Sequence, residues 1–232
     1  MSWESKQDYA GLASGTAVTI KAVTVNTSGQ YLEKPGHNGD IVATRAFGVV
    51  SAPSCEYAIA ASHTYSGLKL GAIATVSSKK FALESIHYET GADAEPTLTA
   101  VAREVEAGAT SEKGNSFAVP SFAVSPDEIA ADPLSAFTLT GELCELTKCT
   151  VDIACSVKVH TVNGEAVASD VTMGRIQVAL TIGQYGTAEP TVAATDGWDI
   201  SAPLSCTDPD ADLPSWTVTL SKPLTKTVVS DT

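Results

Sequence analysis

From Cys149 to His160 the chain alternates: Cys149, Val151, Ile153, Cys155, Val157 and Val159 are apolar, while Thr150, Asp152, Ala154, Ser156, Lys158 and His160 between them are mostly polar or small. Successive residues of a strand point to opposite faces, so this period of two predicts a half-buried strand. Asn163-Gly164 follows, the pair that most readily takes positive φ at both centres of a hairpin turn, and the alternation resumes at Ile176, Val178, Leu180 and Ile182. Two long antiparallel strands between Cys144 and Tyr185 are therefore expected at the centre of a sheet.

Other strands are expected over Thr16–Val25, from Ile41 through Phe47 to a break at Pro53, over Cys55–Ala61, and over Leu68–Val76 and Lys79–Tyr88, joined through Ser77-Ser78. Further strands are expected over Phe137–Leu143, at Trp198-Asp199-Ile200 before Pro203, and at Trp216, Val218 and Leu220 before Pro223. Between the first two, Gly29 and the segment Tyr31–Asp40 read as a long loop, a feature usually kept for function or an interface. Ser125-Pro126-Asp127-Glu128 starts one short helix with a capping Ser, an N1 Pro and acids at the positive end of the dipole, and Pro133 stops it. Ala, Val, Thr, Ser and Gly dominate and aromatics make up 6%, which suits strands packed by small and β-branched side chains.

The expected fold is an all-β antiparallel sandwich or barrel over 16–222, with an N-terminal arm (1–15) and a C-terminal tail (223–232). Two β units divided near 107–116 are the alternative. Phe81-Ala82-Leu83 with Tyr88 and Ala94-Glu95-Pro96-Thr97 is echoed by Val178-Ala179-Leu180 with Tyr185 and Ala188-Glu189-Pro190-Thr191, as a tandem duplication would leave it. In the arm, Trp3 and Tyr9 are aromatic anchors that either pack back on their own domain or reach a neighbour.

Formal charge is −13, and residues 117–232 carry most of it, with 5 basic and 15 acidic side chains against 9 and 12 in residues 1–116. Such a surface repels phosphates, which argues against specific nucleic-acid binding. The five Cys have neither the dense spacing of a disulfide scaffold nor the paired CxxC of a zinc site, and Cys149 and Cys155 fall on the apolar face of their strand. With no basic and apolar leader and no run of ~18 apolar residues, the expectation is a protein kept in a reducing cytoplasm, without a membrane span.

Catalytic signatures are missing from the sequence. The four His are scattered and no nucleophile elbow or Gly-rich phosphate loop occurs, so the expectation is no enzyme, no cofactor and no metal. Asp208-Pro209-Asp210-Ala211-Asp212 alternates carboxylates as a calcium loop does, but Leu213 stands where the sixth-position Gly belongs and Thr219 where the bidentate Glu belongs, so it reads as an acidic turn.

What is left is building or binding. An acidic, Cys-poor β chain with an arm (Ser2–Gly15), a long early loop (Gly29–Asp40) and one short helix (Pro126–Ala131) resembles, in the layout of the whole chain, the major tail-tube proteins of tailed bacteriophages and related contractile injection machines. That resemblance implies a virion structural protein assembled in the host bacterial cytoplasm, with copies of itself and other virion proteins as partners. Its rings would close their sheets into an inner barrel and stack through the arm and loop, which makes Trp3, Tyr9, Tyr31, Leu32 and Pro35 the expected interface residues. An acidic lumen would let DNA pass without sticking, with Asp152, Glu165 and Asp170 as its candidate acids. The alternative is a virion decoration or receptor-binding module that presents loops on a sandwich with free edges.

Overall fold

The computed structural model describes residues 6–13, 18–59, 63–91, 94–106, 117–124, 134–140, 143–160, 170–195 and 197–224. Its strands are β1 (Val18–Pro35), β2 (Ile41–Ile59), β3 (His63–Tyr65), β4 (Lys69–Leu70), β5 (Ile73–Val76), β6 (Lys79–Gly91), β7 (Ala94–Val105), β8 (Phe117–Ala118), β9 (Phe122–Val124), β10 (Phe137–Thr140), β11 (Leu143–His160), β12 (Asp170–Gly186), β13 (Thr191–Ala194), β14 (Asp199–Thr207) and β15 (Ser215–Pro223). Among the described residues the protein is all-β and antiparallel, with no helix. The expected helix at Pro126–Ala131, like Trp3, Glu165 and the Asn163-Gly164 turn, lies outside them.

Nine strands form one sheet in the order β1-β2-β7-β6-β11-β12-β15-β14, with β5 also paired to β6. The predicted hairpin is its middle: Val151 pairs with Leu180 on one side and with Tyr88 on the other. Because directly paired residues share a face, the registers compose a single apolar row, Tyr57, Leu98, Tyr88, Val151, Leu180 and Leu220, each 3% exposed or less. One face of the sheet is thereby apolar from β2 to β15. The strap of residues 6–13 and the small sheets β3–β9, β4–β8 and β10–β13 contribute Tyr9, Leu12, Tyr65, Phe122, Leu70, Ala136 and Phe137 to the same core. Tyr65 stacks on Phe122 at 5.2 Å, and Tyr9 meets Phe81 edge-on at 4.8 Å.

Several sequence expectations shift for physical reasons. Pro53 does not break β2, because pairing to β7 starts only at Ser54 and at Pro53 the strand has a ladder partner on one side alone. Pro203 likewise sits inside β14, an edge strand already irregular between Ala202 and Ser205. Leu68–Val76 is two strands, separated at Gly71 with φ of 86°. The sheet and its core cross from one half of the chain to the other through the β6–β11 pair, so no division of the sheet falls near 107–116. The echoed stretches lead to different places: β7 returns beside β6, whereas β13 leaves β12 and pairs with β10.

The largest difference is the early loop. Tyr31–Pro35 is strand, paired to Ile41–Ala46, and only Gly36–Asp40 turns. Before Ser54, β2 has no ladder partner but β1; Val50 is still buried and the Ser51 N–H reaches Glu104 of β7, and beyond them Ile41–Ala46 with Tyr31–Pro35 project from the sheet as a two-stranded ribbon.

Candidate assembly surfaces

The ribbon carries most of the exposed large hydrophobic residues. Tyr31 is 69% exposed, Leu32 61%, Ile41 56% and Val42 63%. Tyr31 and Leu32 are consecutive on a strand and face opposite ways, so neither side of the ribbon is a polar back. A two-stranded ribbon is marginal in water by itself, and one that shows apolar residues on both sides is suited to being enclosed. Of the interface residues expected from sequence, Tyr31, Leu32 and Pro35 are gathered here, with Pro35 opposite Ile41.

Tyr9 has a different role. It is 7% exposed and packed against Phe81 in its own core, so of the two roles open to it the chain uses the inward one. Asp8 fixes this arrangement: its Oδ1 accepts the N–H of Gly11 at 2.8 Å and of Leu12 at 3.3 Å together with the Tyr57 hydroxyl, and its Oδ2 accepts the N–H of Ala13 at 2.7 Å. A short acidic side chain answering the backbone donors that follow it is a local motif legible in principle from Asp8-Tyr9-Ala10-Gly11, but the sequence reading passed over it.

The face of the sheet opposite the core is polar. Along one row it presents Glu56, Thr99, His87, Asp152, Ala179 and Ser221, and along the next Thr97, Glu89, Thr150, Thr181 and Thr219. Asp152, the central acid expected in a lumen, is on this face with its side chain 53% exposed, 2.6 Å from His87 Nδ1. On the other side of that imidazole stands Glu89, 3.6 Å from Nε2, and Lys148 lies 3.3 Å from Glu89. The hydrogen bond from Lys148 holds the Glu89 carboxyl below its usual range. Glu56 is paired with Lys21 at 3.1 Å. Asp170 is placed by its backbone alone, opposite His160 beyond the segment of β12 that pairs with β15.

Glu89 and Glu56 are therefore matched by lysines, and the polar face is less uniformly negative than the total charge suggests. Other exposed acids lie elsewhere: Asp208, Asp210 and Asp212 on the β14–β15 turn, Glu95 at the start of β7 and Glu189 after β12.

Among the described residues no three His, Cys, Asp or Glu side chains converge as metal ligands. The described cysteines are all free thiols, and burial, with Glu84 nearby, pushes Cys155 up to about 12. A scan against protein-family models finds no match, and a search of curated proteins finds none either.

Proposed function

We propose that this chain is a structural subunit that assembles with copies of itself, joining sheets edge to edge into rings and stacking the rings as a tube like that of a phage tail. The observation that carries this reading is the open sheet, in which, among the described residues, the outer strands β1 and β14 are each paired on one side only. An 18-residue outer strand with no Pro before its last position offers a long row of backbone donors and acceptors, the usual template for another strand. Joining β1 of one copy to β14 of the next is a head-to-tail contact, which closes into a ring when its rotation is right. The sheet then becomes a barrel, and its Thr-rich polar face with Asp152, His87 and Glu89 turns to the channel. Hydroxyls and ion-paired carboxylates give a passing phosphate chain few unopposed cations to bind, so DNA would slide.

Size-exclusion chromatography with light scattering, followed by electron microscopy, tests this at tens of µM protein. Rings or tubes are expected. A strict monomer over that range ends the proposal and leaves a loop-presenting decoration module as the better reading.

A further inference from the structure

We infer that His87 and Glu89 of β6 are the two protein ligands of a site for a divalent transition-metal cation of the zinc type, with Asp152 of β11 orienting the imidazole. The site is complete within one copy and does not depend on the assembly reading above. His87 and Glu89 are two residues apart on one strand, which puts both side chains on the same face of the sheet, the polar one. Since β6 runs between β7 and β11, the pair stands on backbone held from both sides.

The chemistry follows from where the ring hydrogen must be. Asp152 Oδ1 is 2.6 Å from Nδ1, and an ionised carboxylate only accepts, so Nδ1 carries the hydrogen. In the neutral ring Nε2 then offers its lone pair, and it faces Glu89 Oε2 across 3.6 Å. Two electron-pair donors turned towards each other suit a cation shared between them. A zinc ion with bonds of about 2.0–2.2 Å to nitrogen and oxygen holds two tetrahedral ligands about 3.4 Å apart, so it fits between these atoms with little movement. A carboxylate on the far nitrogen of a metal-binding imidazole fixes the tautomer and raises the basicity of the ligand nitrogen. Asp152 stands in that place and not among the ligands, which is why three side chains do not converge here. Glu89 is prepared in a similar way: Lys148 is 3.3 Å from Oε1, the carboxylate oxygen that does not face the imidazole, and its hydrogen bond holds the carboxyl below its usual range. The side chains of His87 and Glu89 are 41% and 43% exposed, so an ion reaches them from solvent and completes its sphere with water. The residues paired directly beside them, Thr99 at His87 and Thr97 and Thr150 at Glu89, are uncharged, and Lys148 is the cation that opposes the metal. By contrast, His37 meets the Asn38 side-chain oxygen and His63 the ring of Tyr65.

Isothermal titration of the full chain with zinc chloride tests the site. One ion per chain is expected, with His87→Gln and Glu89→Gln each weakening binding at least about tenfold and Asp152→Asn weakening it about 10–100-fold. Lys148→Gln should tighten it, because an opposing charge is removed. A chain with His37→Gln, His63→Gln, His160→Gln and Cys206→Ser should bind as the wild type does. Circular dichroism melting shows that each variant is folded. In the wild type itself, long-range proton–nitrogen spectra should show one imidazole whose Nε2 signal moves on adding zinc while Nδ1 stays protonated, and that signal should be missing from His87→Gln. Binding that survives His87→Gln, or imidazole signals that stay unmoved at millimolar zinc, overturns the site and leaves a proton as the only cation shared by these groups. Wild-type affinity in Asp152→Asn overturns the orienting role of Asp152. All of these outcomes are independent of whether rings or tubes form.

Discussion

The hydroxyl of Tyr57 donates to the Asp8 carboxylate across 2.7 Å, tying the N-terminal strap to β2. Tyr57 is 1% exposed, and burial together with the adjacent carboxylate pushes its hydroxyl far above its ordinary range, so it stays a donor. Replacing Asp8 with Ala orphans this hydroxyl and three backbone N–H groups; the expected cost is about 2–3 kcal/mol, against about 1 kcal/mol for Tyr57→Phe. Urea denaturation measures both. The strap also covers Cys55, whose thiol lies 3.8 Å from the Gln7 carbonyl, so Asp8→Ala should also speed labelling of Cys55 by thiol reagents.

Gly91 and Gly183 flank Lys148 in one row of the sheet, and both lie close to Thr147. A methyl group on Gly91 would stand 2.8 Å from the Thr147 carbonyl oxygen, and one on Gly183 2.6 Å from the Thr147 hydroxyl. Backbone moves less readily than a hydroxyl turns. Gly91→Ala is therefore expected to cost about 1–3 kcal/mol and Gly183→Ala less, an order that thermal melts of the two variants check.

Arg103 holds Glu84 with two donors, Nε at 2.8 Å and Nη2 at 3.0 Å, in a pair whose side chains are only 21% and 15% exposed. Arg103→Ala strands the carboxylate in partial shelter and should cost about 1–3 kcal/mol. Removing both partners should cost less than the two single changes added together, which a double-mutant cycle reads directly.

Acid should weaken the fold through Glu104 and Glu89. Burial pushes the Glu104 carboxyl up, but the Lys79 ammonium at 2.8 Å and the Ser51 N–H at 3.3 Å outweigh it, and the net direction is down; at Glu89, Lys148 has the same effect. A carboxyl lowered in the folded state binds fewer protons there than in the unfolded chain. Its contribution is complete above the ordinary Glu value of about 4.3 and drains away as pH falls through the lower folded value. Glu104→Gln should flatten the dependence of stability on pH below about 5 in denaturation series. An unchanged slope would show that Glu104 is not the group responsible.

Legibility followed solvent. Where one side of a strand is buried and the other wet, the alternation was plain, and Cys149, Val151 and Ile153 lie on the buried face as the pattern predicts. The ribbon was misread as a loop because both of its sides are exposed: with no inner face, Tyr31-Leu32-Glu33-Lys34 shows no period of two. Pro53 and Pro203 misled because a Pro forbids a strand only where its missing N–H would face a neighbour. Of the candidate interface, Tyr31, Leu32 and Pro35 were named from sequence and are gathered on the ribbon, whereas Ile41 and Val42 were not. Their role depends on strand register, which local composition does not carry.

By itself the sequence determined that this is an antiparallel β protein, which two strands stand near its centre and which of their residues turn inward, because side-chain alternation is a local consequence of the extended backbone. Tertiary structure alone decided that β11 lies between β6 and β12, that Tyr9 is sealed inward by Asp8, and that His87 stands between Asp152 and Glu89. Those outcomes follow from which distant segments pair, a choice made by burial over the whole chain and by no single stretch of it.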